Sequence, residues 1–205
     1  MIHELFGLTP DIRQACDRLA GAGYTALAPD LLHWAAPWRC LVAAFGALRS
    51  GSGRAVTEIE ACRDHLAARA GASGRVGIVG FCMGGGFALL AAPRGFDAAA
   101  PNYAPLPSDP ASALRGACPV VASYGARDRG LRGAAGRLER ALKELGVEHD
   151  VKEYAGASHS FLNRHEGWMG ATDAVTGFRH HEAAAEDAWR RIERFFAVHL
   201  GPEPT

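Results

Sequence analysis

A cysteine between glycines, Gly80-Phe-Cys-Met-Gly84, is the feature of this sequence best suited to chemistry. The motif G-x-C-x-G follows an apolar run that reads as a strand, Arg75 to Val79, and precedes one that reads as a helix, Met83 to Ala92. A nucleophile elbow requires that context, because the residue between strand and helix is held at a strained backbone angle and only glycines leave space around it. A thiol there also sits at a helix N-terminus. The macrodipole favours thiolate over thiol, and the Met83 amide points toward a developing oxyanion. Cys82 is the expected nucleophile. Two further residues complete a set for acyl transfer. Asp128, in Gly125-Ala-Arg-Asp128, follows the predicted strand Pro119 to Tyr124, and His159, in Gly156-Ala-Ser-His-Ser160, follows the predicted strand Glu148 to Tyr154. Both loops lie at strand carboxyl ends, where parallel sheets place functional groups, so a carboxylate could orient an imidazole that serves the thiol. Alone, Asp128 would read as a turn or cap residue and His159 as a surface histidine.

The other candidates read as bland. Cys16 and Cys62 lie on apolar helix faces, Cys118 precedes a strand and Cys40 sits in a loop, so each is expected to pack rather than react. The adjacent pair His180-His181 lacks the i, i+4 spacing of helical metal ligands, and both are expected to be solvated. No metal and no cofactor is expected.

Helical spacing predicts helices over Asp11–Ala22, Val56–Ala70, Arg132–Leu145 and Glu182–Leu200. Short apolar runs predict strands at Tyr24–Ala28, Arg75–Val79, Ala98–Tyr103, Pro119–Tyr124 and Glu148–Tyr154. Leu31 to Gly53, with His33, Trp34, Pro37 and Trp38, reads as a long connection carrying at most a turn or two of helix. Strands alternating with helices imply an α/β fold, its parallel sheet covered on both faces.

A chain of 205 residues suits one such domain, spanning residues 1–205. The 22 basic and 22 acidic residues balance, so nothing points to nucleic acid or an anionic membrane, and a small neutral or weakly charged substrate fits better. Five cysteines, odd in number and without a C-x-x-C pair, read as reduced thiols. With no long apolar run and no signal-peptide pattern, a cytoplasmic location is expected.

Taken together these residues resemble the dienelactone hydrolase family of the α/β-hydrolase superfamily, from His3 to about Leu200. The order nucleophile, acid, base is the one that superfamily uses. His3-Glu-Leu-Phe-Gly7 looks like the family's glutamate-bearing oxyanion loop, Ala20 to Asp30 like its Gly-Tyr-x-Ala-x-Pro-Asp segment, and His159-Ser-Phe161 like its base motif. The resemblance implies that Glu4 contacts Cys82 and helps to control its protonation. It also implies that the backbone amides of Leu5 and Met83 form the oxyanion hole, and that Trp34, Tyr103, Phe161 and Asn163 contact substrate. It implies an α/β-hydrolase fold, mostly parallel, but lacking the family's N-terminal strands, which would leave an open sheet edge. The activity implied is hydrolysis of a small-molecule ester or lactone, carboxymethylenebutenolidase-like, by a monomer or homodimer.

Two departures bear on substrate. Trp34 and Asn163 stand where dienelactone-cleaving members carry arginines for a substrate carboxylate, while Arg39 and Arg164 lie nearby but out of register. Neutral substrates are therefore expected. Two other readings remain: a non-catalytic binding protein, if Met1 to Gly7 is not packed on the sheet, or a redox-responsive thiol protein.

Overall fold

Along the strands, successive residues face opposite sides of the sheet, and both sides are apolar. Ile78, Ala99, Val120 and Ala122 enter one core, while Val79, Phe81, Ala98, Ala100 and Val121 enter the other. This period of two with both faces buried is what a parallel sheet between helical layers demands. The computed structural model describes residues 1–69, 73–164 and 179–201. Its sheet holds β1 (Gly77–Phe81), β2 (Ala98–Asn102), β3 (Val120–Gly125) and β4 (His149–Tyr154), all parallel and in that order. Helices α2 (Pro37–Ser50), α3 (Arg54–Ala67), α4 (Met83–Ala91) and α6 (Ala134–Glu144) supply the first core, and α1 (Pro10–Gly21) and α7 (Glu182–His199) the second. A short helix, α5 (Pro110–Ala113), capped by the Asp109 side chain, lies between β2 and β3. Among the described residues no helix is long and apolar enough to cross a membrane.

The outer strand β4 carries Lys152 and Glu153 in its exposed positions, charges that discourage further strand pairing. Arg191 ties α7 to this edge, since its buried guanidinium donates to Asp150 Oδ2 (2.8 Å), Ser123 Oγ (3.1 Å) and the Ala122 carbonyl (3.3 Å).

Two expected features differ. Tyr24–Ala28 forms no ladder, and the Leu27 carbonyl instead accepts from the Met1 ammonium at 2.8 Å. A strand forms only against a partner, and between this segment and β1 the chain offers one bridging residue, Ile2, which pairs with Gly80. Second, the expected connection contains a full helix, α2. Proline at its first position and left-handed Gly51 at its end (φ 72°) are ordinary helix boundaries, and Cys40, Ala44 and Ala47 make its buried face. The Trp and Pro content masked that pattern.

Close packing locks the cysteine elbow between these elements. A Cβ at Gly80 would collide with the Gly84 carbonyl, one at Gly84 with the Ile2 and His3 carbonyls, and one at Gly85 would lie 2.7 Å from the Asn102 carbonyl oxygen. These are backbone atoms and cannot swing aside. Gly84→Ala is therefore expected to destabilise the fold by about 3 kcal/mol or more. Gly21→Ala, with open space around it on α1, should change stability by less than about 1 kcal/mol. Chemical denaturation of both variants checks the contrast.

Candidate active site

Cys82 sits between β1 and α4 with φ 54° and ψ −115°, a conformation that costs a non-glycine residue on the order of 1–3 kcal/mol. Neighbouring backbone holds it there. Its N–H donates to the Asn102 carbonyl at 3.1 Å and its carbonyl accepts from the Gly86 N–H at 3.1 Å. The sharp turn leaves the thiol only partly buried, while Met83 behind it is fully buried. The Met83 amide belongs to the first turn of α4, where N–H groups lack intrahelical acceptors.

His159 and Asp128 meet at the carboxyl ends of β4 and β3. The imidazole Nδ1 lies 2.5 Å from Asp128 Oδ2. The other carboxylate oxygen accepts from the N–H groups of Gly130 (3.0 Å) and Leu131 (3.2 Å), which fixes the carboxylate's orientation. Burial works against charge on His159, but the Asp128 hydrogen bond and the contact with Cys82 outweigh it, and the pKa is pushed up to about 10.

Glu4 comes from the N-terminal loop. Ile2 pins that loop by donating to the Val79 carbonyl (2.7 Å) and accepting from the Phe81 N–H (3.2 Å). His3, fully buried, accepts from the Leu31 N–H at Nε2 (3.0 Å), so its proton is on Nδ1, which faces the Glu4 carbonyl at 2.5 Å. Burial lowers its pKa and keeps it neutral. The Glu4 carboxylate, also buried, accepts from Ser160 Oγ at 2.7 Å, which binds it to the residue after His159. Ser160 has a left-handed backbone (φ 56°), a feature no sequence signal marked. Leu5 follows Glu4 and packs partly buried against the core.

Tyr103 is buried with φ 38°, its ring 5.1 Å from the His159 ring. Burial, then the charges of Glu4 and Cys82, push its hydroxyl well above the usual tyrosine range. It is a neutral wall of the site.

The remaining expected contacts are not gathered here. Phe161 is fully buried, stacked against Tyr103 (5.7 Å) and Tyr154 (5.2 Å), so it supports the site from beneath and presents no surface to a substrate. Trp34 lies under the Arg54 guanidinium (5.3 Å), and Trp38 projects from α2, 67% exposed. Arg39 is exposed on α2. Asn163 is buried in a cleft beside α1 and α7, and Arg164 in the same cleft is paired with Glu182 (2.8 Å). His181 departs from the solvated role expected of it, because its ring accepts from the Ala184 N–H and caps α7. His165 lies outside the described residues. Among the described residues no cluster of His, Cys, Asp or Glu could hold a metal ion.

The dienelactone hydrolase family model matches residues 1–200. The chain belongs to that family. A carboxymethylenebutenolidase of Rhodococcus opacus is 30% identical over 219 residues, covering 98% of this chain and 80% of the relative. Two solved structures share the fold. A dienelactone hydrolase-like promiscuous phosphotriesterase from metagenomic libraries has a TM-score of 0.79 at 22% identity, covering 98% of this chain and 85% of that one. A thermophilic esterase of Thermogutta terrifontis has a TM-score of 0.67 at 19% identity, covering 100% and 82%. The protein is accordingly an α/β-hydrolase that cleaves carboxylic esters or lactones, with a small molecule as substrate.

The raised His159 has a consequence for stability. Its folded pKa is about 10 and its unfolded value about 6.5, so between them the folded state holds more protons. The stability it contributes is complete below pH 6.5 and is lost as pH rises through about 10. The difference in unfolding free energy between wild type and His159→Gln should therefore shrink steadily over that range in denaturant titrations. A constant difference would show that the imidazole is not charged in the folded protein.

Proposed function

We propose that the ester or lactone is cleaved covalently by Cys82, with His159 moving protons and Asp128 orienting it. The observation that carries this reading is the position of His159, in hydrogen-bond contact with Asp128 on Nδ1 and in reach of the Cys82 sulfur. The Cys82 thiolate attacks the carbonyl carbon, a C–S bond forms, and the π electrons move to oxygen. The N–H groups of Leu5 and Met83 stabilise that oxyanion. Collapse of the tetrahedral species expels the alkoxide, which takes the proton from the His159 imidazolium and leaves a thioester. Neutral His159 then takes a proton from water as the oxygen attacks the thioester. The second oxyanion expels the thiolate, and His159, again protonated, faces it. Glu4, held by Ser160, lies close to this exchange and helps to set where the proton resides.

Burial of Ile2, His3 and Glu4 supports this over a non-catalytic role, because a disordered loop would supply neither Glu4 nor the Leu5 amide. The five cysteines are all free, and burial pushes the Cys118 thiol up to about 12, which suits an inert packing residue.

Neutral substrates are proposed. Arg164 is committed to Glu182 and Arg39 stands on an exposed helix face, so neither is set to anchor a substrate carboxylate. An arginine–carboxylate bond contributes on the order of 1.5–3 kcal/mol, so lacking one lowers selectivity for anionic lactones by about tenfold or more. The test measures kcat/KM for a neutral aryl ester and a carboxylate-bearing lactone of matched reactivity, in wild type, Cys82→Ala and Arg39→Ala. Wild type should prefer the neutral ester, Cys82→Ala should be inactive though folded, and Arg39→Ala should leave the ratio unchanged. Retained turnover without Cys82 would remove the nucleophile assignment. Preference for the anionic lactone, lost in Arg39→Ala, would assign a carboxylate anchor instead.

A further inference from the structure

The 22 basic and 22 acidic residues balance over the whole chain, but not over one of its surfaces. From Leu31 to Thr57 there is no Asp or Glu, while Arg39, Arg49 and Arg54 stand in that interval. Arg54 is answered by Glu58, one helical turn on, at 2.7 Å. Arg39 and Arg49 are exposed, and among the described residues no carboxylate pairs with either.

Both arginines stand on α2, which also carries exposed large apolar side chains. Trp38 (67% exposed), Val42 (67%) and Phe45 (46%) are spaced i, i+4, i+7, which sets them in one row on the outward side of the helix. Ala43 and Gly46 are exposed beside that row, so Arg39, Arg49 and the terminal Ser50 are the polar residues of the outward face. A solvated helix turns charge outward, as α6 does with Arg137, Glu139, Arg140, Lys143 and Glu144. The inward face of α2 holds the row in place. Cys40, Ala44 and Ala47 are buried there, and Leu48 packs so closely on α4 that a Cβ at Gly86 would lie 3.2 Å from it.

We propose that α2 docks the protein on an anionic phospholipid surface, Trp38, Val42 and Phe45 entering the headgroup boundary and Arg39 and Arg49 pairing with lipid phosphates. Its 14 residues make the helix about 21 Å long, which suits lying in the plane of the interface rather than crossing it. Apolar insertion and attraction of cations are what hold an interfacial helix, and this face supplies both. A second copy of the chain fits the face less well. Pairing α2 with α2 about a twofold axis sets Arg39 against Arg49 when the helices are antiparallel, and each arginine against itself when they are parallel. The segment has no carboxylate to answer them, whereas an anionic lipid surface is made of such answers.

Co-sedimentation of the full chain with phosphatidylcholine vesicles, with and without phosphatidylglycerol, tests this in wild type and in two double variants, Trp38→Ser with Phe45→Ser and Arg39→Gln with Arg49→Gln. Wild type should bind the anionic vesicles about tenfold or more tightly than the neutral ones, since each basic group at an anionic surface is worth about fivefold. Loss of the two aromatic rings should weaken anionic binding by about tenfold or more. Loss of the two arginines should remove most of the preference for anionic vesicles. Turnover of a water-soluble ester checks that the aromatic variant is folded, and the arginine variant carries the test if it is not. No binding by wild type, equal binding to both vesicles, or binding indifferent to both variants would overturn the proposal. A dimer in sedimentation velocity that the aromatic variant dissociates, without vesicle binding, would assign the face to a second copy and overturn it too. Vesicle binding is read without catalysis, so the outcome does not depend on which residue is the nucleophile.

Discussion

The left-handed backbone of Cys82 is the constraint on which the rest of the site depends. No local preference favours φ 54° for a cysteine, so the conformation must be imposed by what surrounds it. The surroundings are backbone: Gly80 and Gly84 touch each other's main chain, Gly84 also meets Ile2 and His3, and Gly85 meets Asn102. Strand β1, helix α4, the end of β2 and the N-terminal loop thus converge within one contact distance. Helix α4 is almost entirely buried, and that burial offsets the strain. The same convergence holds the loop that carries Glu4 and Leu5 against β1, because Ile2 bridges Gly80 and bonds Val79 and Phe81.

Electrostatics follow from that geometry. Burial alone would leave His159 neutral, as it leaves His3 neutral, yet the two histidines end in opposite states. His3 faces a main-chain N–H and a carbonyl, partners that suit a neutral ring, whereas His159 lies between a carboxylate and a sulfur, partners that suit a cation. Tyr103 and Phe161 close the inner side with rings that stay uncharged, which sharpens the fields between the charged groups.

Much of this was legible in the residues. Two-sided burial made three of the four strands near-continuous apolar runs, and the glycines of the elbow have no other use than close approach. The placement of Asp128 and His159 after successive strands followed from topology. Other features were not legible, for physical reasons. Tyr24–Ala28 has strand composition but forms no ladder, since pairing depends on a partner that local pattern does not reveal. Helix α2 was obscured because three of its large apolar side chains, Trp38, Val42 and Phe45, face outward. Ser160 looked like an ordinary loop serine, and its bond to Glu4 spans 156 residues. Substrate contacts were the least legible, because aligned positions such as Asn163 and Phe161 are turned into a side cleft or the core by the packing around them.

Cleavage through Cys82 requires a covalent acyl intermediate on its sulfur. Acid-quenching the enzyme within milliseconds of mixing with a p-nitrophenyl ester, followed by peptide mapping by mass spectrometry, measures it directly. An acyl group is expected on the peptide containing Cys82, formed at the rate of the p-nitrophenol burst. An acyl group on any other residue, or a burst with no acylated peptide, would contradict it.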